Sequence, residues 1–480
     1  MLKKLLLFIG LVVAYAAFPT RTYYWDGVLF SLYIEKVYSA ELPFSILFHP
    51  NHLLYSGFGY GLYSLAHAFG LHLRAITLFQ CVNILAGAGA AVLVFALTKR
   101  LGRSNWLAVF CCLLFGSGAT WWKFSTDANS YILSVLLLLL AVSFLLSGTC
   151  WLLLAGMCHV LAMLFHELAV FAYVPFIAAI LLENTSRAAR IRRACLYTLG
   201  TAGSVALVYW LAYRLAGRDS GRTFLGWVTS SSAQSQTTHS LRQVFIAYPA
   251  SYLKLLAGGK LSLIRDYLSL PVIVALMMCI GSFTIGIWLM RRPKRESGIL
   301  IDWRTKAVLW SWVLPYLLFL AWWEPGSAFY KLFIWPPLVL LLGCAVAERP
   351  FWLSRIKALI ALSAALAAWN FGAFIFPHSH SSADPILQLA ETIDRELPKN
   401  ATVYYKVLSP DDWYLEYFAP GRRWLPLPSD TRTVQQLSDS ANTPVCLETT
   451  ALAEFGGRAD TGQSWNLVTN KHNVRFACLK

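Results

Sequence analysis

Apolar runs of about 17 to 24 residues recur along this chain from Leu2 to Phe376, each long enough to cross a bilayer as a helix. Short polar or basic stretches separate them. The pattern places spans at 3–18, 75–98, 105–122, 130–147, 150–165, 168–182, 194–216, 268–290, 306–322, 332–347 and 356–376. After Pro377 the pattern changes. "DPILQLAETIDREL" has the apolar spacing of an amphipathic helix, and "ATVYYKV", "PVCLET" and "NVRFACLK" read as strands. The expected fold is a polytopic α-helical membrane protein. It has about 11 transmembrane helices within residues 1–377 and a small extracytoplasmic α/β domain over 378–480.

One apolar stretch resists this reading: "HPNHLLYSGFGYGLYSLAHAFG", from His49 to Gly70. If Leu53 to Phe69 crosses, four basic clusters land outside. They are Lys99/Arg100/Arg103, Arg187/Arg190/Arg192/Arg193, Arg291/Arg292/Lys294/Arg295 with Arg304/Lys306, and Arg349/Arg355/Lys357. If it does not cross, all four fall inside with Lys3 and Lys4, where cytoplasmic loops collect positive charge. As a helix the stretch reaches only about 25 Å, short of the roughly 30 Å hydrocarbon core. It also carries Ser56, Ser64, His67, glycines and tyrosines, which suit an interface. It is expected to lie on the outer leaflet as an interfacial helix. Cys150 to Leu182 is read as two short passes turning near His166/Glu167. "MLKKLLLFIGLVVAYAAFPT" fits either a signal peptide or a retained first span, retention being preferred, and both leave Arg21 onward outside. The expected location is the inner membrane of a cell, multi-pass, with a cytoplasmic N-terminus and a periplasmic or otherwise extracytoplasmic C-terminal domain. No internal repeat is visible.

Composition sharpens this picture. The 480 residues are 57% hydrophobic and 13% charged, against roughly 25% charged in soluble domains. The net charge of +16 sits in clusters between spans, so it marks cytoplasmic loops rather than nucleic-acid binding. Eight cysteines (81, 111, 112, 150, 158, 195, 279 and 344) lie in or beside spans and read as small buried hydrophobes. None has metal-site spacing. Cys446 and Cys478 stand alone in the tail. A disulfide between them is open if the tail is outside the cytoplasm.

The topology gathers Asp26, Glu35, His49, His52, Lys123, Asp127, His166, Glu167, Glu324 and Lys331 at one face. Carboxylates at membrane depth are costly unless paired or useful. Asp26, in "TRTYYWDGVLFSLYIEKVYS", could cap a helix from Val28 or act as a general base. Asp127, in "TWWKFSTDANSY", could likewise cap, as could Asn129. His49 and His52 could share a metal, with His166/Glu167 as further ligands, or be structural; Pro50 makes a shared helix face doubtful. His49 could also orient Asp26 or touch an acceptor.

The order of these pieces resembles the GT-C superfamily of integral-membrane glycosyltransferases. The resemblance rests on the acid of "WDG", the His-Pro element "HPNHLLY", the basic turn "ALTKRLG" and the second acid of "WWKFSTDANSY". It is closest to the protein O-mannosyltransferase-like and aminoarabinose-transferase-like branches. It covers residues 1 to 150 well, and "WWEPGSAFYKLFIWPP" resembles a late outer loop of the group. The resemblance implies transfer of a sugar from a polyprenyl-phosphate or polyprenyl-diphosphate carrier on the outer face. Asp26 matches the family's essential first-loop acid and Asp127 its second-loop acid. Many relatives carry two adjacent acids in the first loop, whereas here Gly27 follows Asp26. That weakens the case for a divalent metal, the one cofactor left open, and leaves Asp26 as a single base.

The chemistry has its own logic. A hydroxyl is a poor nucleophile at neutral pH, and a positioned carboxylate helps by about 10²–10⁴-fold. A leaving lipid phosphate needs cations or donors. Lys331 is a candidate, as are Arg218, Arg222, Lys260 and Arg265, whose other reading is contact with anionic headgroups. Asp26 and Asp127 are the expected catalytic residues. His49, His166, Glu167, Glu324, Tyr330 and Lys331 are the expected substrate-binding ones. The expected activity is an inverting glycosyltransferase using a polyprenyl-phosphate-type donor and a lipid, glycan or protein acceptor, with membrane lipids around it. The alternatives are a transporter or flippase of lipid-linked sugars and a non-enzymatic envelope assembly factor. The C-terminal domain reads as an acceptor-recognition element, a lid or passive packing.

Overall fold

A computed structural model describes residues 2–148, 151–218, 221–230, 240–291, 297–406, 411–428, 443–449, 451, 465–469 and 475–479. Cys150, Arg292, Lys294 and Arg295 lie outside these, as do Val407, Asn473, Val474 and Lys480 at the ends of expected strands. The chain opens with α1 (Leu2–Ala16), followed by α2 (Trp25–Tyr38), α3 (Tyr55–Ala68) and α4 (Ala75–Gly102). Next, α5 (Asn105–Ser117) and α6 (Ala119–Ser125) meet at a 67° bend. Then come α7 (Tyr131–Ser147), α8 (Leu152–Phe165), α9 (Tyr173–Leu181) and α10 (Arg187–Ala212), and later the helices Leu270–Met290, Trp303–Trp323, Trp335–Glu348 and Ile356–Asn370.

Among the described residues five helical stretches are long and apolar enough to cross a membrane: Ala75–Gly102, Arg187–Gly217, Leu270–Met290, Trp303–Trp323 and Ile356–His378. The bent α5–α6 pair makes a sixth. The other expected spans coincide with shorter apolar helices, namely α1, α7, α8, Glu167–Leu181 and Trp335–Glu348. The helix α1 belongs to the packed body. Its Tyr15 is buried and donates to Gly116 O at 2.7 Å. The core is built around the fully buried rings of Phe115, Trp121, Trp312 and Phe333.

The two ends of the bundle differ in chemistry. At one end the connections bond to each other. Thr20 N–H donates to Thr126 O (3.3 Å), Arg21 N–H to His378 O (2.7 Å) and Leu54 N–H to Leu164 O (2.9 Å). At the other end the basic residues find partners: Arg193 pairs with Glu183 (2.6 Å), Lys306 with Glu348 (2.7 Å), and Arg355 Nε donates to Met290 O (3.0 Å). The stretch at residues 53–69 falls wholly at the first end. Just before α3, Leu54 is tied to Leu164. Just after it, Ala75 N–H donates to Glu35, which the C-terminal Tyr417 also holds. Both termini of α3 are thus tied to segments of that same end.

The C-terminal region forms a five-stranded mixed sheet. Its strands are β1 (Thr402–Tyr405), β2 (Arg423–Pro426), β3 (Val445–Glu448), β4 (Trp465–Thr469) and β5 (Arg475–Leu479), in the order β2-β1-β3-β5-β4. β1 runs parallel to β2 and β3, and β5 antiparallel to β3 and β4. Cys446 faces Cys478 in the β3–β5 register, and the two form a disulfide. The amphipathic helix is present as Pro385–Glu396, capped by Asp384 through the Ile386 and Leu387 N–H groups. Two strands, β2 and β4, and the helix Asp411–Phe418 were not legible in the pattern. That last helix docks on α2 through a Lys36–Glu416 ion pair and a Tyr417 hydroxyl bond to Glu35 (2.8 Å). Arg74 braces the joint, donating to both Glu35 and Tyr417 O at 2.9 Å.

Candidate active site

The site begins inside α4. Gln80 Nε2 donates to Thr20 O and Thr126 O, each at 2.9 Å. Asn83 Nδ2 donates to Asp127 O (2.6 Å) and Asn129 O (2.8 Å). Two amides on one helix thus fix the loop that follows α6 and bring the chain after α1 against it. The bend at Gly118 aims α6 toward this loop. The carbonyls it frees are satisfied by other helices, Phe115 O by Trp335 Nε1 (3.1 Å) and Ser117 O by Asn370 Nδ2 (2.8 Å), as membrane-embedded backbone requires.

Asp127 is fully buried. It accepts from Tyr24 N–H (3.0 Å), Lys123 Nζ (3.0 Å) and Ala128 N–H (2.8 Å). Burial pushes its carboxyl above the ordinary range, and the Lys123 charge opposes that. It does not cap α7. Asn129 Oδ1 does so, accepting from Tyr131 and Ile132 N–H. Nor does Asp26 cap α2. It sits inside the first turn, one residue past the start, while Tyr24 holds the cap position without a side-chain bond. Asp26 is partly exposed. Burial raises its pKa, and the Tyr24 hydroxyl and the His49 ring partly offset this. A carboxylate on the first turn of a helix also lies in the favourable field of the N-terminal N–H groups.

Gly27 explains the missing second acid. A Cβ there would stand 2.0 Å from Ala128 O. The helix carrying Asp26 therefore presses against the backbone that carries Asp127, and no side chain fits between them.

The histidines gather beside Asp26. His52 packs on His166 with ring centroids 4.7 Å apart, and His49 stacks on His52 at 6.2 Å. Tyr131 lies 4.5 Å from His166, and Tyr330 lies 6.4 Å from it. His52 Nδ1 is 3.0 Å from Ser130 Oγ, and His166 Nδ1 accepts from Leu168 N–H (3.1 Å). Two nitrogens, His49 Nδ1 and His166 Nε2, are buried without a partner among the described residues. Burial holds His49 down at about 4, so it is neutral at physiological pH. Among the described residues no group of three or more His, Cys, Asp or Glu is arranged to hold a metal ion.

Lys331 takes another role. It is fully buried, and its ammonium donates to Glu324 O (2.7 Å) and Pro325 O (3.0 Å) over the ring of Tyr248. It staples the late loop from inside, with burial pushing its pKa down to about 7. Glu324 accepts from Ser327 (3.2 Å), and Glu167 lies partly buried at the turn after α8.

Beside Tyr24 and Trp25 opens a cavity of about 720 Å³. Lys123, Lys254, Lys260 and His378 line it, together with Phe124, Leu263, Phe329 and Phe374. Asp384, Ile386 and Tyr414 add a wall from the C-terminal region. Among the described residues neither Lys254 nor Lys260 forms an ion pair. The segment bearing them reaches the last long helix through two glycines, because a Cβ at Gly258 or Gly259 would meet Phe374 at 2.7 Å or Ala373 O at 2.3 Å.

No protein-family model and no curated sequence matches this chain. Solved structures do. ArnT from Cupriavidus metallidurans bound to undecaprenyl phosphate aligns with a TM-score of 0.64 at 11% identity, over 99% of this chain and 97% of its own. The same protein in the apo state aligns at 0.59 and 12%, with the same coverage. This chain shares the ArnT fold. The resemblance legible in residues 1 to 150 therefore extends, as fold, over the whole molecule, including the C-terminal sheet that ArnT also spans in the alignment.

With the ArnT fold as frame, the sequence-derived residues fall into two places. Asp26, His49, His166 and Tyr330 gather beside Tyr24 and Tyr131. Asp127 and Lys331 are buried braces. Of the cations proposed for a leaving phosphate, Lys260 lines the cavity, whereas Arg265 is exposed and paired with Asp266. Lys254 and His378 were missed. The signal for the first was present as two lysines flanking Ala257-Gly258-Gly259, of which only Lys260 was singled out.

Proposed function

We propose that this chain is a membrane glycosyltransferase that takes a sugar from a polyprenyl-phosphate-type carrier and attaches it to an acceptor hydroxyl. The observation that carries the reading is the cavity beside Tyr24–Trp25, where three lysines and a histidine meet an apolar wall. An isoprenoid phosphate needs that combination: aromatic and aliphatic surface for the chain, cations for the headgroup. The fold supports the reading, since an ArnT structure holds undecaprenyl phosphate. Asp26 is the general base and Asp127 holds the loop that presents it. His49, neutral beside Asp26, orients the carboxylate or the acceptor hydroxyl. His166, Glu167, Glu324 and Tyr330 border the acceptor side, and Lys331 fixes the loop that carries Tyr330. A single displacement assisted by one base inverts the anomeric centre. The lysine-lined cavity faces away from the cytoplasm, because the basic clusters lie at the opposite end of the bundle. The C-terminal domain, residues 378–480, then lies outside the cytoplasm.

The test is transfer from polyprenyl-phosphate-linked sugars by the purified protein in nanodiscs. Asp26→Asn is expected to lower transfer by about 10²–10⁴-fold while carrier binding persists. Near-normal transfer by that variant would remove Asp26 as base. Translocation of the carrier without any transfer would favour a flippase.

A further inference from the structure

Lys123 faces two ways. Its ammonium pairs with Asp127 at 3.0 Å, and its side chain lines the cavity with Lys254 and Lys260. Asp127, on its far side, holds Tyr24 N–H at 3.0 Å. Tyr24 itself lines the cavity and stands two residues before Asp26. Gly27 presses on Ala128 immediately after Asp127. The cavity is therefore joined to the base through one ion pair and one backbone bond.

We propose that an anionic headgroup in the cavity competes with Asp127 for Lys123, and that Asp127 is a positioning residue that tightens on the Tyr24 backbone when Lys123 is drawn away. The inference rests on the reading of the cavity as a carrier-phosphate site. Two of the three lysines form no ion pair among the described residues, so an entering phosphate meets them first and Lys123 last. Asp127 has three donors. Tyr24 N–H and Lys123 Nζ share one carboxylate oxygen, Oδ2, while Ala128 N–H takes the other, so drawing the ammonium away leaves Oδ2 to the Tyr24 N–H alone. The segment 23–26 is thereby stiffened when donor is present and loose when it is not. Acid–base work at Asp26 is confined to the occupied state.

The experiment uses the full-length protein in nanodiscs with a polyprenyl monophosphate as probe. In the wild type, amide exchange of the peptide covering residues 23–30 is expected to slow at least threefold on saturation. Unchanged or faster exchange overturns the proposal and needs no variant to fold. Asp127→Asn is expected to bind the probe about tenfold more tightly, since Lys123 is freed, yet to lose at least tenfold in kcat. Lys123→Met is expected to bind at least tenfold more weakly, and Lys123→Arg to recover affinity relative to Lys123→Met. An Asp127→Asn protein that binds no better than wild type overturns the competition. Nanodiscs of phosphatidylglycerol without the probe separate the sources of the anion, and an equal response there would overturn the carrier phosphate as the competitor. The failures remain distinguishable: normal transfer by Asp26→Asn sinks the base alone, whereas unaltered exchange with an inactive Asp26→Asn sinks only this relay.

Discussion

Asp26 and Asp127 have the same chemistry and different surroundings. Asp127 spends its oxygens on three donors, whereas Asp26 keeps a partly open carboxylate whose pKa burial raises above 3.8. If the ionised form is reactive, transfer falls as pH drops through that raised value. The acid limb of kcat/KM should therefore lie above the ordinary aspartate range and vanish in Asp26→Asn. Gly27→Ala tests the close approach. Its methyl would collide with Ala128 O, and overpacking of this kind costs about 1–3 kcal/mol. A lower melting temperature and at least a tenfold loss of transfer are expected, readable by fluorescence melting and the transfer assay. Lys331→Met leaves two buried carbonyls without their donor, at about 1–3 kcal/mol each. Melting in detergent should register it whether or not donor is bound. The sequence announced the acids because carboxylates stand out in apolar chain. It did not announce their surroundings, because those depend on Lys123, Gly27 and Ala128, whose contacts join segments about a hundred positions apart.

At the level of elements, the apolar runs and the basic turns were the legible part. Hydrophobic length dictates where helices can cross, and the distribution of lysine and arginine decides which ends share a side. What escaped was polar chemistry inside spans. Gln80, Asn83 and Asn370 sit in stretches apolar enough to hide them, yet each ties separate segments together. Asn370 bonds to Ser117 O, Leu256 O and Gly258 N–H. Intramembrane bonds average about 0.6 kcal/mol each, so Asn370→Ala should cost about 2 kcal/mol. Because Gly258 lies between Lys254 and Lys260, carrier affinity should fall along with the melting temperature. Strands β2 and β4 are as long as the three strands that were legible, but β2 runs into Pro426 and Pro428, which demote a strand reading, and β4 stands among polar residues.

For the whole molecule, sidedness is the claim most open to measurement. A cysteine placed at Glu41, exposed at the α3 end, should react with an impermeant maleimide in intact cells. One placed at Arg187, exposed at the start of α10, should react only after permeabilisation. The reverse pattern would invert the protein and place the lysine-lined cavity on the cytoplasmic side. Weakening the contact between the C-terminal region and α2, for example by Tyr417→Phe, frees Glu35 from one of its three donors, the others being Arg74 and Ala75 N–H. Because α2 carries Asp26, kcat is expected to respond more than carrier affinity in the same nanodisc assays.

The cavity wall is assembled from residues as distant along the chain as Tyr23 and Tyr414. During synthesis the ribosome releases the first of these nearly 400 positions before the last. A growing polypeptide accordingly owns a greasy bundle and a carboxylate but no finished chamber. A chain cut short between the last long helix and the sheet would lack Tyr414 and with it part of that wall, so on the proposed function its carrier binding in nanodiscs is expected to fall well below that of the whole protein.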